Sequence, residues 1–156
     1  MGIEENKEIV RRYYLVFDDE FHQQVQQAED QDVEREKLLR IHRGKYLSSD
    51  VVIHSSRGDI QSFEDSIQQV LTWINAMPDI TFQIEDMIAA GDKVVTRYSA
   101  RATFTRDYGP YPPTGKEFKL INGITISKVS NGKIIELWGA SDSFSFMQQI
   151  GAIPTK

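Results

Sequence analysis

Cysteine is absent from the 156 residues, which excludes a disulfide framework, thiolate catalysis and any cysteine-ligated zinc or iron–sulfur site. Histidine occurs three times, as His22, His42 and His54, and no close metal-ligand spacing joins them. GxGxxG, GxxxxGK, HExxH and GxSxG patterns are all missing, so neither a metal nor a cofactor is expected. No uninterrupted apolar run reaches membrane-spanning length. The opening MGIEENKEIVRRYY lacks the apolar core and cleavage site of a secretory signal, and a soluble cytoplasmic chain with no membrane partner is the expectation. Positive charge is in deficit: Lys+Arg 18 against Asp+Glu 23 give −5, which argues against nucleic acid as a partner.

What remains is enough for a single domain, since a chain this long buries roughly two thirds of its unfolded surface. No linker rich in glycine, serine or proline divides it, and no repeat of solenoid period occurs. From Glu4 to Phe21, Ile9, Val10, Tyr13, Tyr14, Phe17 and Phe21 fall at the spacing of one helical stripe. The glutamine-rich and charged stretch from 22 to 46 has high helix propensity and allows three forms: an extension of the first helix, a turn near Glu29 to Asp32 followed by a second helix, or a mobile insertion. Val51 to Ile53 read as a short strand, Ser55 to Asp59 as a polar loop, and Phe63 to Ile74 as an amphipathic helix stopped near Pro78. Thereafter the pattern is extended, with Gly91-Asp92 and Asn131-Gly132 marking tight turns, so the second half predicts an antiparallel sheet.

Strict alternation sorts these strands into faces. Ile80, Phe82, Ile84 and Ile88 share a parity with Asp86. Val94, Tyr98, Ala100, Ala102 and Phe104 share another, as do Phe118, Leu120, Asn122, Ile124 and Ile126. The last strand aligns Ile134, Glu136, Trp138, Ala140 and Asp142. Polar residues on an apolar face need hydrogen-bond partners in a core or a cavity, which makes His54, Asn122 and Asp142 candidates for chemistry.

Asp142 is the sharpest of them. It serves either as the N-cap of a short final helix or as a carboxylate in a pocket where Trp138, Phe144 and Phe146 raise its pKa toward proton transfer near neutral pH. His54 is either a proton-transfer or orienting group or a satisfied strand-end histidine, and Asn122 either a donor to an enolate oxygen or a network residue. Trp73 and Trp138 offer flat apolar surfaces to a ring-shaped ligand or belong to the core, and Glu136 ranks lower as a ligand contact. The stretch YGPYPPTGK, 108–116, is a rigid loop whose Tyr108 and Tyr111 can cover a cavity mouth.

The succession DVVIH, FEDSIQQVLTWINAMPDITFQIEDMIAAGDKVVTRYSARATF, PPTGKEFKLINGITISKVSNGKIIELWGASD and QQIGA resembles the SnoaL-like polyketide cyclase branch of the NTF2-like superfamily. The resemblance implies one α+β cone over 1–156, with N-terminal helices packed on a strongly curved, mostly antiparallel sheet that encloses a pocket. It also implies a homodimer through the outer sheet face and an intramolecular aldol reaction of a hydrophobic carbonyl compound without metal or cofactor. The family's acidic residue falls on Asp142 and its frequent histidine on His54. Under that mechanism Asp142 exchanges the proton, His54 or Asn122 steadies the oxyanion, and Trp73, Phe82, Tyr98, Phe104, Trp138 and Glu136 line the pocket. The alternatives are a noncatalytic hydrophobic-ligand binder or another NTF2-like enzyme, such as an isomerase or an epoxide hydrolase. The longer helical region at 22–46 departs from the family pattern.

Overall fold

The computed structural model describes residues 2–56 and 58–154. Arg57, within the loop expected at Ser55 to Asp59, lies outside the described residues.

The apolar stripe of the first segment folds as two helices rather than one, α1 (Ile3–Tyr14) and α2 (Asp19–Gln27). The break has a local cause: the Asp18 carboxylate accepts from the Phe21 backbone N–H at 2.8 Å and starts a new helix. Turning the chain there also buries Val16 and Phe17 while leaving Leu15 in water. The 22–46 region takes the turn-and-second-helix form. Asp30 accepts from the N–H groups of Asp32 and Val33 and opens α3 (Gln31–Tyr46), which buries Leu39.

Beyond α3 the chain forms β1 (Leu47–Ser55), β2 (Gly58–Ile60), α4 (Phe63–Ala76), β3 (Thr81–Ala90), β4 (Lys93–Thr103), β5 (Glu117–Ser130), β6 (Lys133–Ala140) and α5 (Ser143–Gln149). The strands make one six-stranded sheet in the order β2-β1-β6-β5-β4-β3. Pairing is antiparallel except between β1 and β6, which run parallel. Helices packed on one side of a curved, open mixed sheet give the α+β architecture expected from the sequence. The polar loop after β1 is shorter than expected, because Gly58 to Ile60 pair back onto Ile53 to Ser55.

Bulges decide which residues face the helices, because one extra residue reverses every side chain beyond it. In β3 the register skips Glu85, so Met87 and Ala89 turn inward while Asp86 and Ile88 turn out, Ile88 being 67% exposed. Between β4 and β5, Tyr98 faces Gly123 and Ala100 faces Leu120, which sets Ser99 opposite two residues, Ile121 and Asn122. Asn122 takes a positive φ of 58° there, a conformation asparagine tolerates better than most side chains. Phe118 and Leu120 therefore keep the inward parity, but Gly123, Thr125, Ser127 and Val129 replace Asn122, Ile124 and Ile126 on the inner face. A third shift, at Ile135, puts Leu137 and Gly139 inside and turns Glu136 and Trp138 out.

The buried side chains form two clusters. One, around Leu39, Ile67, Ile74, Ile80 and Phe104, joins α2, α3, α4 and α5 to the early part of β5. The other, around Val10, Leu47, Val51, Val94, Val129 and Ile134, lies under α1 where β1, β4, β5 and β6 meet.

Candidate active site

Between the helices and the inner face of the sheet lies a cavity of about 450 Å³. Each element contributes what its buried stripe carries: Tyr13 and Tyr14 from α1, Val70 and Trp73 from α4, Phe82 from β3, Tyr98 from β4, Leu120 and Thr125 from β5, Leu137 from β6 and Phe146 from α5. Tyr108, held by a two-way backbone pairing with Tyr111, meets the Phe146 ring edge-on and completes the wall. The aromatic side is continuous: Phe17 stacks on Phe82 at 5.8 Å, Phe82 touches Trp73 at 6.0 Å and Tyr98 at 5.6 Å, and Tyr98 meets Tyr14 at 5.3 Å. Such a wall suits a flat apolar ligand.

The polar groups on this wall are almost all neutral. The Tyr14 hydroxyl hydrogen-bonds Thr125 Oγ1, and burial pushes the Tyr14 pKa well above its ordinary value. Burial, reinforced by Tyr13 nearby, pushes Tyr98 up to about 12, and its hydroxyl has no partner among the described residues. Both phenols therefore remain protonated donors at neutral pH. Arg43 is the charged residue at the edge; its guanidinium lies 5.2 Å from the Tyr13 ring centroid, and Nη1 donates to the Ser66 carbonyl at 3.4 Å. No Asp, Glu or Lys lines the cavity among the described residues. Deeper on the same sheet face, Thr96 and Ser127 are fully buried, and neither hydroxyl has a partner among the described residues. An unpaired buried hydroxyl costs about 1–3 kcal/mol, so two of them in one place are a real departure from ordinary packing.

Trp73, Phe82 and Tyr98 line this cavity, whereas Phe104, Trp138 and Glu136 do not. Phe104 is core, 1% exposed. Trp138 and Glu136 were carried to the outer face by the bulge at Ile135. There the His54 imidazole stacks on Trp138 at 5.4 Å, with Nδ1 at 3.0 Å from Asp59 and Nε2 at 2.9 Å from Glu136. Those two carboxylates, Glu136 foremost, raise the His54 pKa above its ordinary 6.5. His54 does edge the cavity beside Ser55 and Ser56, but its ring nitrogens are engaged elsewhere. Asn122 also lies outside, accepting from Arg97 Nη1 at 3.3 Å, while Arg97 Nη2 pairs with Asp86 at 3.1 Å.

Asp142 takes the capping position: its Oδ1 accepts from the Ser145 N–H at 2.9 Å. The residue is exposed and borders a separate cavity of about 280 Å³ with Phe118, Lys119, Ile121 and Gln149. The apolar surround expected for it is not assembled, since Trp138 faces outward and Phe144 is 61% exposed. His54, Asn122 and Asp142 thus stand at three different places. Thr125 and Ser127 were missed by strict alternation, whereas Tyr14, on the helical stripe, and Thr96, on the parity of Val94 and Tyr98, already fell on the inward side. The signal that would have found Thr125 and Ser127 is the dipeptide Asn122-Gly123, which marks a bulge inside a strand and reverses the face of all that follows.

Among the described residues no group of three or more His, Asp or Glu is placed to hold a metal ion, and no helix is long and apolar enough to cross a membrane. Helices over the concave face of a curved mixed sheet, with a cavity between them, define an NTF2-like α+β protein. Within that class, the sequence model of the SnoaL-like polyketide cyclases matches residues 7–150, and the chain belongs to that family. No curated protein matches it. Among solved structures, a protein of Jannaschia sp. CCS1 assigned to the SnoaL-like polyketide cyclases is 19% identical with a TM-score of 0.76, covering 99% of this chain and 97% of that one. IdmH of Streptomyces antibioticus is 23% identical with a TM-score of 0.66, covering 94% and 98%. TsrD of Streptomyces laurentii is 15% identical with a TM-score of 0.74, covering 98% and 99%.

Proposed function

We propose that the chain closes a hydrophobic carbonyl compound by an intramolecular aldol step, using position and neutral hydrogen bonds rather than an ionised base. The observation that carries this reading is the Tyr98 hydroxyl, which has no hydrogen-bond partner among the described residues, on an aromatic cavity wall. A β-dicarbonyl substrate enolises readily, so the nucleophilic carbon does not require a carboxylate to generate it. With the substrate folded against Phe82 and Trp73, the enol carbon attacks a second carbonyl carbon. One carbon–carbon bond forms, the carbonyl π pair moves to oxygen, and the enol proton is released. The Tyr98 O–H donates to that oxygen as charge develops and protonates it; the enol proton restores the phenol. Reactant and product are isomers, and the rate gain comes from orientation and from a donor held in low dielectric.

The test is incubation with a β-polyketone ester, followed by chromatography and mass analysis. Conversion to an isomer of equal mass is expected, and Tyr98→Phe should slow it about 10²-fold, the loss typical of one oxyanion donor. Undiminished conversion by Tyr98→Phe would remove this role. A second reading, noncatalytic binding, is favoured by the lack of Asp or Glu among the described lining residues; it requires the compound to be recovered unchanged after binding.

A homodimer through the outer sheet face belongs to the same proposal. In register across that face lie Ile88, Val95, Ile126 and Trp138, an apolar row ending at His54. Ile88 and Ile126, at 67% and 36% exposed, remain accessible to a second copy.

A further inference from the structure

At the edge of the cavity stands a positive charge that no carboxylate answers among the described residues. Arg43, in the last turn of α3, lines the cavity with its guanidinium 5.2 Å from the Tyr13 ring centroid. Its hydrogen bond from Nη1 to the Ser66 carbonyl is long, at 3.4 Å, and its other N–H groups have no partner among the described residues. Every other described arginine, from Arg11 with Glu8 to Arg106 with Asp32, pairs with a carboxylate. The nearest acids on this side of the sheet, Asp59 and Glu136, are engaged by His54 and do not line the cavity. A partly buried guanidinium without a counter-ion is costly, which makes it a place for an anion brought from outside.

The neutral groups beside it suit the same guest. Tyr14 and Thr125 both line the cavity and share one hydrogen bond, which uses one of their two hydroxyl hydrogens and leaves the other without an acceptor in that pair. Burial governs the raised pKa of Tyr14, and the Arg43 charge acts on it in the opposite sense, so the field of the guanidinium reaches that hydroxyl. We propose that Arg43 is the specificity residue for an acidic end of the ligand, so that the cavity takes an apolar ring compound as its free carboxylate in preference to the ester. A carboxylate accepts two parallel N–H bonds from a guanidinium, a pairing that an uncharged ester cannot match. Arg43 binds and orients the substrate and takes no part in the bond-making step. The assignment rests on the proposed aldol site and adds the form in which the carbonyl compound is held, that of a free acid. Tyr13, Tyr14 and Tyr98 follow one another at ring separations of 5.2 and 5.3 Å, so a carboxylate at Arg43 leaves the reacting carbonyls further along the same wall, toward Tyr98.

Equilibrium dialysis of the full chain against 2-naphthoate and methyl 2-naphthoate tests this. The wild type should bind the naphthoate about tenfold more tightly than its ester, the discrimination expected of one charge-assisted pair. Arg43→Gln and, independently, Arg43→Met should each bring the two affinities within about twofold of one another. Equal affinity of the wild type for the two compounds overturns the subsite without recourse to any variant. So does a full preference retained in whichever Arg43 variant folds. Conversion of the β-polyketone ester by a wild type without the naphthoate preference would remove the subsite and leave the aldol reading standing. A preference lost in the Arg43 variants, with no conversion of the polyketone, would do the reverse. Failure of both naphthalene compounds to bind overturns the cavity as a ligand site, and the subsite with it.

Discussion

On the inner face of β4 and β5 stand Thr96, Tyr98, Thr125 and Ser127; on the outer face of the same two strands stand Arg97, Asn122, Ile124 and Ile126. The inner set is neutral, hydroxylated and ringed by aromatics. The outer set holds a charged network from Asp86 through Arg97 to Asn122 beside bare aliphatic groups. Removing a charge from water is expensive unless it is fully paired, so the enclosed face favours groups that donate without ionising. Outside, solvent and salt weaken ion pairs, and the apolar row contributes little until something covers it. Under the proposed function, recognition inside the cavity rests on neutral donors, with Arg43 the charged side chain on its lining.

The largest disturbance should come from the point where the two faces exchange. A Cβ on Gly123 would lie 2.5 Å from Tyr98 Cζ. Gly123→Val should therefore push the Tyr98 ring out of the wall and cost about 3 kcal/mol in urea unfolding. A wild-type unfolding midpoint for that variant would mean that the close approach of Gly123 and Tyr98 is not rigid. Next, Ile126→Lys places a charge in the middle of the apolar row. If two copies meet there, the variant should sediment as a monomer at concentrations where the wild type is a dimer, with its cavity affinity intact. A wild type that is itself monomeric would remove the outer face from the account.

A smaller effect separates the two roles considered for Asp142. Asp142→Ala should lower stability by about 1 kcal/mol through loss of the α5 cap, whereas Asp142→Asn, still able to accept from Ser145, should stay close to wild type in both stability and conversion. Loss of conversion in a stably folded Asp142→Asn would return the carboxylate to the chemistry. The smallest change concerns His54. Its folded pKa is raised by Glu136 and Asp59, so its contribution is complete below the unfolded value of 6.5 and fades as pH rises through the folded value. The melting temperature should fall slightly across that window in wild type but not in His54→Gln, and parallel profiles would show that the imidazole adds nothing to holding β2 and β6.

Much of the fold was legible because helix stripes and turn residues are local signals. Ile67, Val70, Leu71 and Ile74 specify one buried helix face by spacing alone, and Asn131-Gly132 needs no distant partner to form its turn. The first helix was misread at one residue, Asp18, whose capping competes with a stripe that otherwise runs on to Phe21. The candidate site was far less legible. Trp73, Phe82 and Tyr98 lie before or between the bulges and kept their expected faces. Trp138, Glu136 and Asn122 lie at or beyond bulges and turned outward; Thr125 and Ser127 turned inward to take the place expected for Ile124 and Ile126.

The sequence by itself determined the class of element along most of the chain, the lack of thiol chemistry, the acidic balance and the family, because each depends on residue type and spacing along the chain. The tertiary structure alone decided that Tyr14 and Thr125 meet on the cavity wall and that His54, Asn122 and Asp142 stay apart. Strand parity is a count modulo two, so a single extra residue at Asn122 or Ile135 inverts it. Whether a ladder absorbs such a residue is settled by the packing of its neighbours, above all the Tyr98 ring seated over Gly123.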